Sequence, residues 1–328
     1  ELGSEDTHHD GTIIHRLRRH GPRHLCLREG RKQRNSARSG KRNRNSQMTI
    51  FHGGEHTPAN LTGRGLYTHG MPELPEVETV CRGLAPTLVD ARIDDVIVRE
   101  PRLRWPVAAD FAERLRGRRI ERVERRSKYL LLRLAGSDSL TLLAHLGMTG
   151  SFVARPIAAG DNVPLRLHDH VDFRLDTNAG HYLLRYNDPR RFGSMHVFTG
   201  ADSDQPLLAH LGPEPLTDAL TGTYLFEQTR RRPGPIKQAL MDNTLVVGVG
   251  NIYANESLFR AGIHPNRAAN RVSLARYERL VQEVKAVLAE AIEAGGSTLR
   301  DFVNASGEPG YFQLDYFVYG RDGQPCKQ

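Results

Sequence analysis

The sequence predicts a two-domain α+β protein: an antiparallel β-sandwich opened by one helix, then a helical domain. Three observations carry that expectation. Between Ile93 and Phe198, short runs rich in Val, Leu, Ile and Tyr recur at roughly ten-residue spacing and are separated by turn-type clusters. Ahead of them, Leu74-Pro75-Glu76-Val77-Glu78 has the make-up of a helix start. Beyond Pro206 the apolar period lengthens to that of a helix.

Residues 1–70 are rich in Arg, His, Gly, Asn and Ser and hold no sustained apolar period, so they read as a disordered or artefactual leader. Their run RKQRNSARSGKRNRN suits either a nucleic-acid-binding tail or a solvated leader, and the second reading is preferred. The first helix follows. Pro75 loses nothing in the first turn, the glutamates complement the helix dipole, and Val77, Val80, Leu84 and Leu88 form one apolar face. Strands are expected at Tyr129–Leu134, Leu140–Leu146, His170–Leu175, His181–Tyr186 and Ser194–Phe198, with turns at Ala135–Ser139 and Asp176–Gly180.

The segment TGADSDQPL at 199–207 reads as a hinge. The clearest helix beyond it starts after Ser273, a candidate cap. Its face is Leu274, Tyr277, Leu280, Val281, Val284, Leu288, Ala291 and Ile292, and Gly295-Gly296 can end it. The domain boundaries are therefore set at 71–200 and 207–297, with a Gly- and Tyr-rich tail over 298–328.

Composition narrows the class of function. No stretch approaches the roughly 18 to 20 apolar residues that cross a bilayer, and no signal peptide opens the chain, so a soluble cytoplasmic protein without membrane partners is expected. Three cysteines, Cys26, Cys81 and Cys326, are too few and scattered for a disulfide framework. The net charge of +8 is less telling than it looks. The first 70 residues carry 13 Lys and Arg against 6 Asp and Glu, which accounts for seven of those charges and leaves +1 for residues 71–328. Bulk charge therefore carries no inference about the folded part, and any nucleic-acid reading must come from placed residues.

Met71-Pro72-Glu73 carries unusual chemistry if it is a true N-terminus. Proline in second position allows removal of the methionine and exposes a secondary amine, partly unprotonated near neutral pH, that can attack carbon and collapse to a Schiff base. Glu73 beside it can then handle protons. In Val246-Val-Gly-Val-Gly-Asn-Ile-Tyr-Ala the glycines permit a tight turn and close backbone approach to a nucleic acid. The lack of a preceding βαβ pattern argues against a dinucleotide site.

Ordered motifs extend over most of the chain: PELPEVE (72–78), SKYLL (127–131), HLGMTG (145–150), HDHVDF (168–173), NDPRRFG (187–193), LGPEPL (211–216) and LMDNTLVVGVGNIYANESLFRAGIHP (240–265). On these motifs, residues 71–326 resemble the formamidopyrimidine-DNA glycosylase family. The resemblance implies a bifunctional DNA glycosylase and AP lyase of base-excision repair. Such an enzyme acts as a monomer on damaged double-stranded DNA and removes 8-oxoguanine and formamidopyrimidines through an N-terminal proline Schiff base and β,δ-elimination.

Residue by residue, the resemblance implies Pro72 as nucleophile, Glu73 as proton handler, Glu76 as a further active-site acid, and Lys128 as a lysine at the phosphate by the lesion. DNA glycosylases flip their target out of the stack. Met148, Arg190 and Phe192 match the residues that fill the void, with Arg190 facing the orphaned cytosine. His145, Arg191, Lys237 and Asn251 match residues near DNA phosphates. Val246–Ala254 matches the helix–two-turn–helix signature, and residues 295–311 match a loop that closes over the flipped purine.

Family members also end in a zinc finger of two C-x-x-C pairs. Here only Cys326 is left as a ligand candidate, so the expectation is a truncated finger: one Zn2+ per full-length chain, none bindable by this one. Two alternatives stay open. One is an endonuclease VIII-like glycosylase for oxidised pyrimidines. The other is an inactive DNA-binding protein, if Pro72 stays acylated within the longer chain.

Overall fold

Alternation of apolar and polar residues drives two four-stranded sheets in the computed structural model, which describes residues 71–295 and 316–327. The expected leader at 1–70 and the expected purine-covering loop, apart from Gly295, lie outside the described residues. The first helix, α1 (Leu74–Leu88), starts as its composition predicts, with Pro75 and Glu76 in the first turn; Val77, Val80, Cys81, Leu84 and Leu88 are buried.

Among the described residues eight strands follow: β1 (Arg92–Val98), β2 (Ile120–Arg126), β3 (Tyr129–Leu134), β4 (Thr141–His145), β5 (Ser151–Pro156), β6 (Asp169–Thr177), β7 (Gly180–Asn187) and β8 (Ser194–Phe198). A short helix α2 (Phe111–Leu115) sits between β1 and β2. All pairings are antiparallel, in the orders β1-β6-β7-β5 and β2-β3-β4-β8. The five strands expected from the sequence are present. The three it did not single out, β1, β2 and β5, are all edge strands. Edge strands carry charge that blunts further pairing, and this breaks the apolar alternation that reveals a strand. The outer strand β2, IERVERR, is the clearest case.

The helical part holds α3 (Gly222–Thr229), α4 (Ile236–Leu240), α5 (Asn251–Arg260) and α6 (Leu274–Glu293). Seven of the eight residues expected on the apolar face of α6 are buried; Leu274, in the first turn, stays exposed. Ser273 occupies the N-cap position, but its side chain makes no capping hydrogen bond, which corrects the expectation that it caps the helix. At the other end Ala294 is the C-cap and Gly295 takes φ +82°, where glycine avoids the Cβ penalty.

One hydrophobic core joins the sandwich to the helices, with Leu130, Phe173 and Tyr186 in the same cluster as Val246, Tyr253 and Leu280. Helix α1 lies between them, packed on β2 and on α6. The segment 316–327 has no regular helix or strand. Its start is tied to α5 by Glu256, a buried carboxylate that accepts hydrogen bonds from the backbone N–H groups of Phe317, Val318 and Tyr319 at 2.8–2.9 Å.

Candidate active site

The Pro72-Glu73 step is buried where α1 begins, against the N-terminus of α5. Leu74 N–H donates to the Gly248 carbonyl at 3.1 Å. The Glu73 carboxylate accepts from Gly250 N–H at 2.6 Å and from Ile252 N–H at 2.9 Å. Helix N-termini present unpaired N–H groups and partial positive charge, so a carboxylate is well placed there. Burial nevertheless dominates and pushes the Glu73 carboxyl up to about 7; the Lys128 charge pulls it down and the Glu76 charge pushes it further up.

Glu76 accepts from the Glu73 N–H at 2.8 Å and from the Tyr253 hydroxyl at 2.6 Å. Two acids of PELPEVE thus lean on one helix more than 170 positions away in sequence. The glycines of GVGN have an added reason to be glycine. Gly248 has φ +78°, and a Cβ there would run into the Leu74 side chain; a Cβ on Gly250 would run into the Glu73 carboxylate. These two glycines thus let the start of α1 pack directly on this segment.

Lys128 follows Ser127, whose φ of +56° makes the tight turn between β2 and β3. Glu214 holds that turn by accepting from Ser127 N–H (2.7 Å), Arg125 (2.7 Å) and Arg126 (2.8 Å). Lys128 is 8% exposed, and its charge is felt at both Glu73 and His145. Burial, reinforced by Lys128 and Arg104, lowers the His145 imidazole to about 4, so it is neutral near pH 7. Its Nδ1 accepts from Gly147 N–H at 3.0 Å, which puts the ring proton on Nε2 as an available donor.

Met148 and the Arg190–Phe192 pair sit on neighbouring loops, β4–β5 and β7–β8. Arg190 and Phe192 are exposed, with the Arg190 guanidinium 4.6 Å from the centre of the Phe192 ring. Arg191 points elsewhere and pairs with Glu100 at 3.4 Å. Lys237 is half-buried in α4, and Asn251 is exposed in the first turn of α5, so the expected phosphate-binding residues come from both halves of the molecule. Cys326 is exposed, and the described residues hold no group of three or more His, Cys, Asp or Glu able to hold a metal ion. One thiolate supplies only one of the four ligands of a structural zinc site.

Several residues that organise the site were quoted in motifs without a role: Tyr253, Glu214, Thr149 and Asp188. Their signal is a polar side chain inside an otherwise apolar or glycine-rich motif, which says that the group is satisfied by something but not by what. Arg104 was missed outright. It is exposed, lies over Trp105 at 4.8 Å, and donates its N–H to the Gly193 carbonyl beside Phe192.

An antiparallel sandwich is thus joined to a helical unit, with the acids of α1 seated on α5. Residues 71–195 match the N-terminal domain of formamidopyrimidine-DNA glycosylase, and residues 211–303 match its H2TH domain. The chain is 55% identical over 257 residues to the formamidopyrimidine-DNA glycosylase of Pseudomonas aeruginosa (strain LESB58), covering 78% of this chain and 91% of that one. A similar match, 55% over 256 residues with the same coverage, is found with the enzyme of Stenotrophomonas maltophilia (strain K279a). Among solved structures it is similar to the MutM (Fpg) protein of Thermus thermophilus, with TM-score 0.66 and 40% identity, covering 78% of this chain and 90% of that one. It is also similar to the Lactococcus lactis Fpg in complex with DNA containing an abasic site, with TM-score 0.68 and 31% identity, covering 78% and 91%. The chain belongs to the formamidopyrimidine-DNA glycosylase family.

Proposed function

We propose that this chain excises oxidised purines, 8-oxoguanine and formamidopyrimidines, from duplex DNA and then cuts the strand as an AP lyase. In this reading the 71–200 domain carries the chemistry and the 207–297 domain grips the duplex. The free amine of Pro72 attacks C1′ of the flipped nucleotide, and the bond to the base breaks. The ring opens to an iminium, and β,δ-elimination expels both flanking phosphates. Glu73 supplies and withdraws protons at the sugar oxygen or the leaving base. A carboxyl group poised near 7 can do both near neutral pH. Lys128 and neutral His145 hold phosphates near the lesion, one by charge and one by its Nε2–H, while Arg191, Lys237 and Asn251 extend the backbone grip. Met148, Arg190 and Phe192 occupy the void left by the flipped base.

The observation that carries this reading is Glu73: buried beside Pro72, held by the N-terminus of α5 and raised to about 7. The amine must be free, because an amide nitrogen shares its lone pair with the carbonyl and cannot attack. The active form therefore begins at Pro72. Excision of 8-oxoguanine opposite cytosine, compared with excision of an oxidised pyrimidine by the same enzyme, tests the substrate assignment; faster removal of the pyrimidine would favour the endonuclease VIII-like alternative.

A further inference from the structure

We propose that Asp188 is a positioning residue that locks the Met148 loop and the Arg190–Phe192 loop into one preassembled wedge, and that recognition of the base opposite the lesion depends on this lock. The inference rests on the reading above in which those three side chains enter the duplex.

Asp188 is fully buried. No basic side chain pairs with it among the described residues, so its charge is held by neutral donors alone: Thr149 Oγ1 at 2.5 Å, Gly193 N–H at 2.8 Å and the Tyr186 hydroxyl at 3.0 Å. Burying a carboxylate without such donors is strongly unfavourable, so its surroundings are tightly constrained. Its backbone carbonyl takes two more hydrogen bonds, from His170 Nε2 at 2.8 Å and Arg191 N–H at 3.1 Å.

Thr149 makes the connection between loops. Its one hydroxyl proton goes to Asp188, and its oxygen accepts the N–H of Arg190 at 3.1 Å. One carboxylate thereby fixes the residue after Met148, the backbone of Arg190 through Thr149, and Gly193 directly after Phe192. The loops also leave no room for slack. Gly147, at φ +66°, would place a Cβ on the Phe192 backbone, and Gly193 would place one on the Tyr186 hydroxyl. Arg191 is held at φ +55°, a left-handed conformation that is unfavourable for a non-glycine residue and persists where neighbours over-determine it. Two exposed side chains that must displace a stacked base thus stand on a backbone ordered before DNA arrives, which removes part of the ordering cost of binding.

The test is binding of the full chain, which needs no free amine, to duplexes carrying a tetrahydrofuran abasic site opposite cytosine or adenine. It is combined with amide hydrogen exchange of the free protein. Thr149→Val keeps the shape but removes the hydroxyl. It should speed exchange at the Arg190 amide at least tenfold and cut the cytosine preference by about tenfold, toward that of Arg190→Ala. Thr149→Ser should restore both. Asp188→Asn, which keeps the size but loses an acceptor, should fall between them.

The proposal is overturned if Thr149→Val leaves the preference unchanged, or if it weakens both duplexes equally, as a general loss of structure would. Should Arg190→Ala itself leave the preference untouched while Thr149→Val still frees the Arg190 amide, the void-filling role of Arg190 has failed. The link from lock to recognition then falls with it, and the lock alone stands.

Discussion

Glu73 and Gly250, 177 positions apart, are joined by a 2.6 Å hydrogen bond from the backbone N–H of Gly250 to the Glu73 carboxylate. Through it the residue next to the proposed nucleophile takes its position from the helical half of the protein. Glu73→Gln should therefore fold yet lose excision by at least a hundredfold, of the order that removal of a general acid–base group costs. Single-turnover excision with the Pro72 amine free measures this; a loss below tenfold would remove Glu73 from the proton-transfer role.

The raised Glu73 carboxyl also sets a pH dependence of stability. Below about 4.5 the group is protonated folded or unfolded and imposes no cost. Between 4.5 and 7 the folded state binds more protons than the unfolded one, so stability falls as pH rises, and above 7 the full cost, about 3 kcal/mol, is present. Thermal melts across this window should show that decline in the native protein and a flatter profile in Glu73→Gln.

Gly250→Ala should damage activity more than stability. A methyl group there meets the Glu73 carboxylate, which can move at modest cost but then loses its two N–H donors. We expect a loss of about 1–2 kcal/mol in stability and a drop in excision approaching that of Glu73→Gln. Equal activity in the glycine and alanine forms would show that the carboxylate geometry is not limiting.

Lys128 and His145 should separate by salt. With its imidazole lowered to about 4, His145 is uncharged at pH 7 and releases no counterion on binding. Lys128→Ala should reduce the slope of log affinity against log salt by about 0.9, whereas His145→Ala should weaken binding with the slope unchanged. Filter binding at several salt concentrations reads both.

Pro72 is tested by trapping. Protein that starts at Met71 and is processed to Pro72 should form a borohydride-stable adduct with lesion DNA that maps to Pro72. The longer chain, with its amide at that position, should not. A robust adduct from the longer chain with its N-terminus intact would transfer the role to another amine, such as that of Lys128.

The central strands, the edge strand β8 (SMHVF), which carries no Lys, Arg, Asp or Glu, and α1 and α6 were legible because their apolar periods are unbroken, as in Tyr129–Leu134 and in the face from Tyr277 to Ile292. The edge strands β1, β2 and β5 were not, since solvent on one flank lets charges such as those of IERVERR interrupt the period. Motifs likewise singled out the candidates Pro72, Glu73, Lys128, Arg190 and Phe192, because reactivity and charge reside in the side chain itself. What surrounds them was decided only by the tertiary structure. Glu73 is raised by burial between α1 and α5, the half-buried His145 is neutral because desolvation and the nearby Lys128 and Arg104 charges lower it, and Asp188 binds two loops through Thr149. A pKa or a loop lock is a property of neighbours brought together by long-range packing, and those neighbours are written in distant parts of the chain.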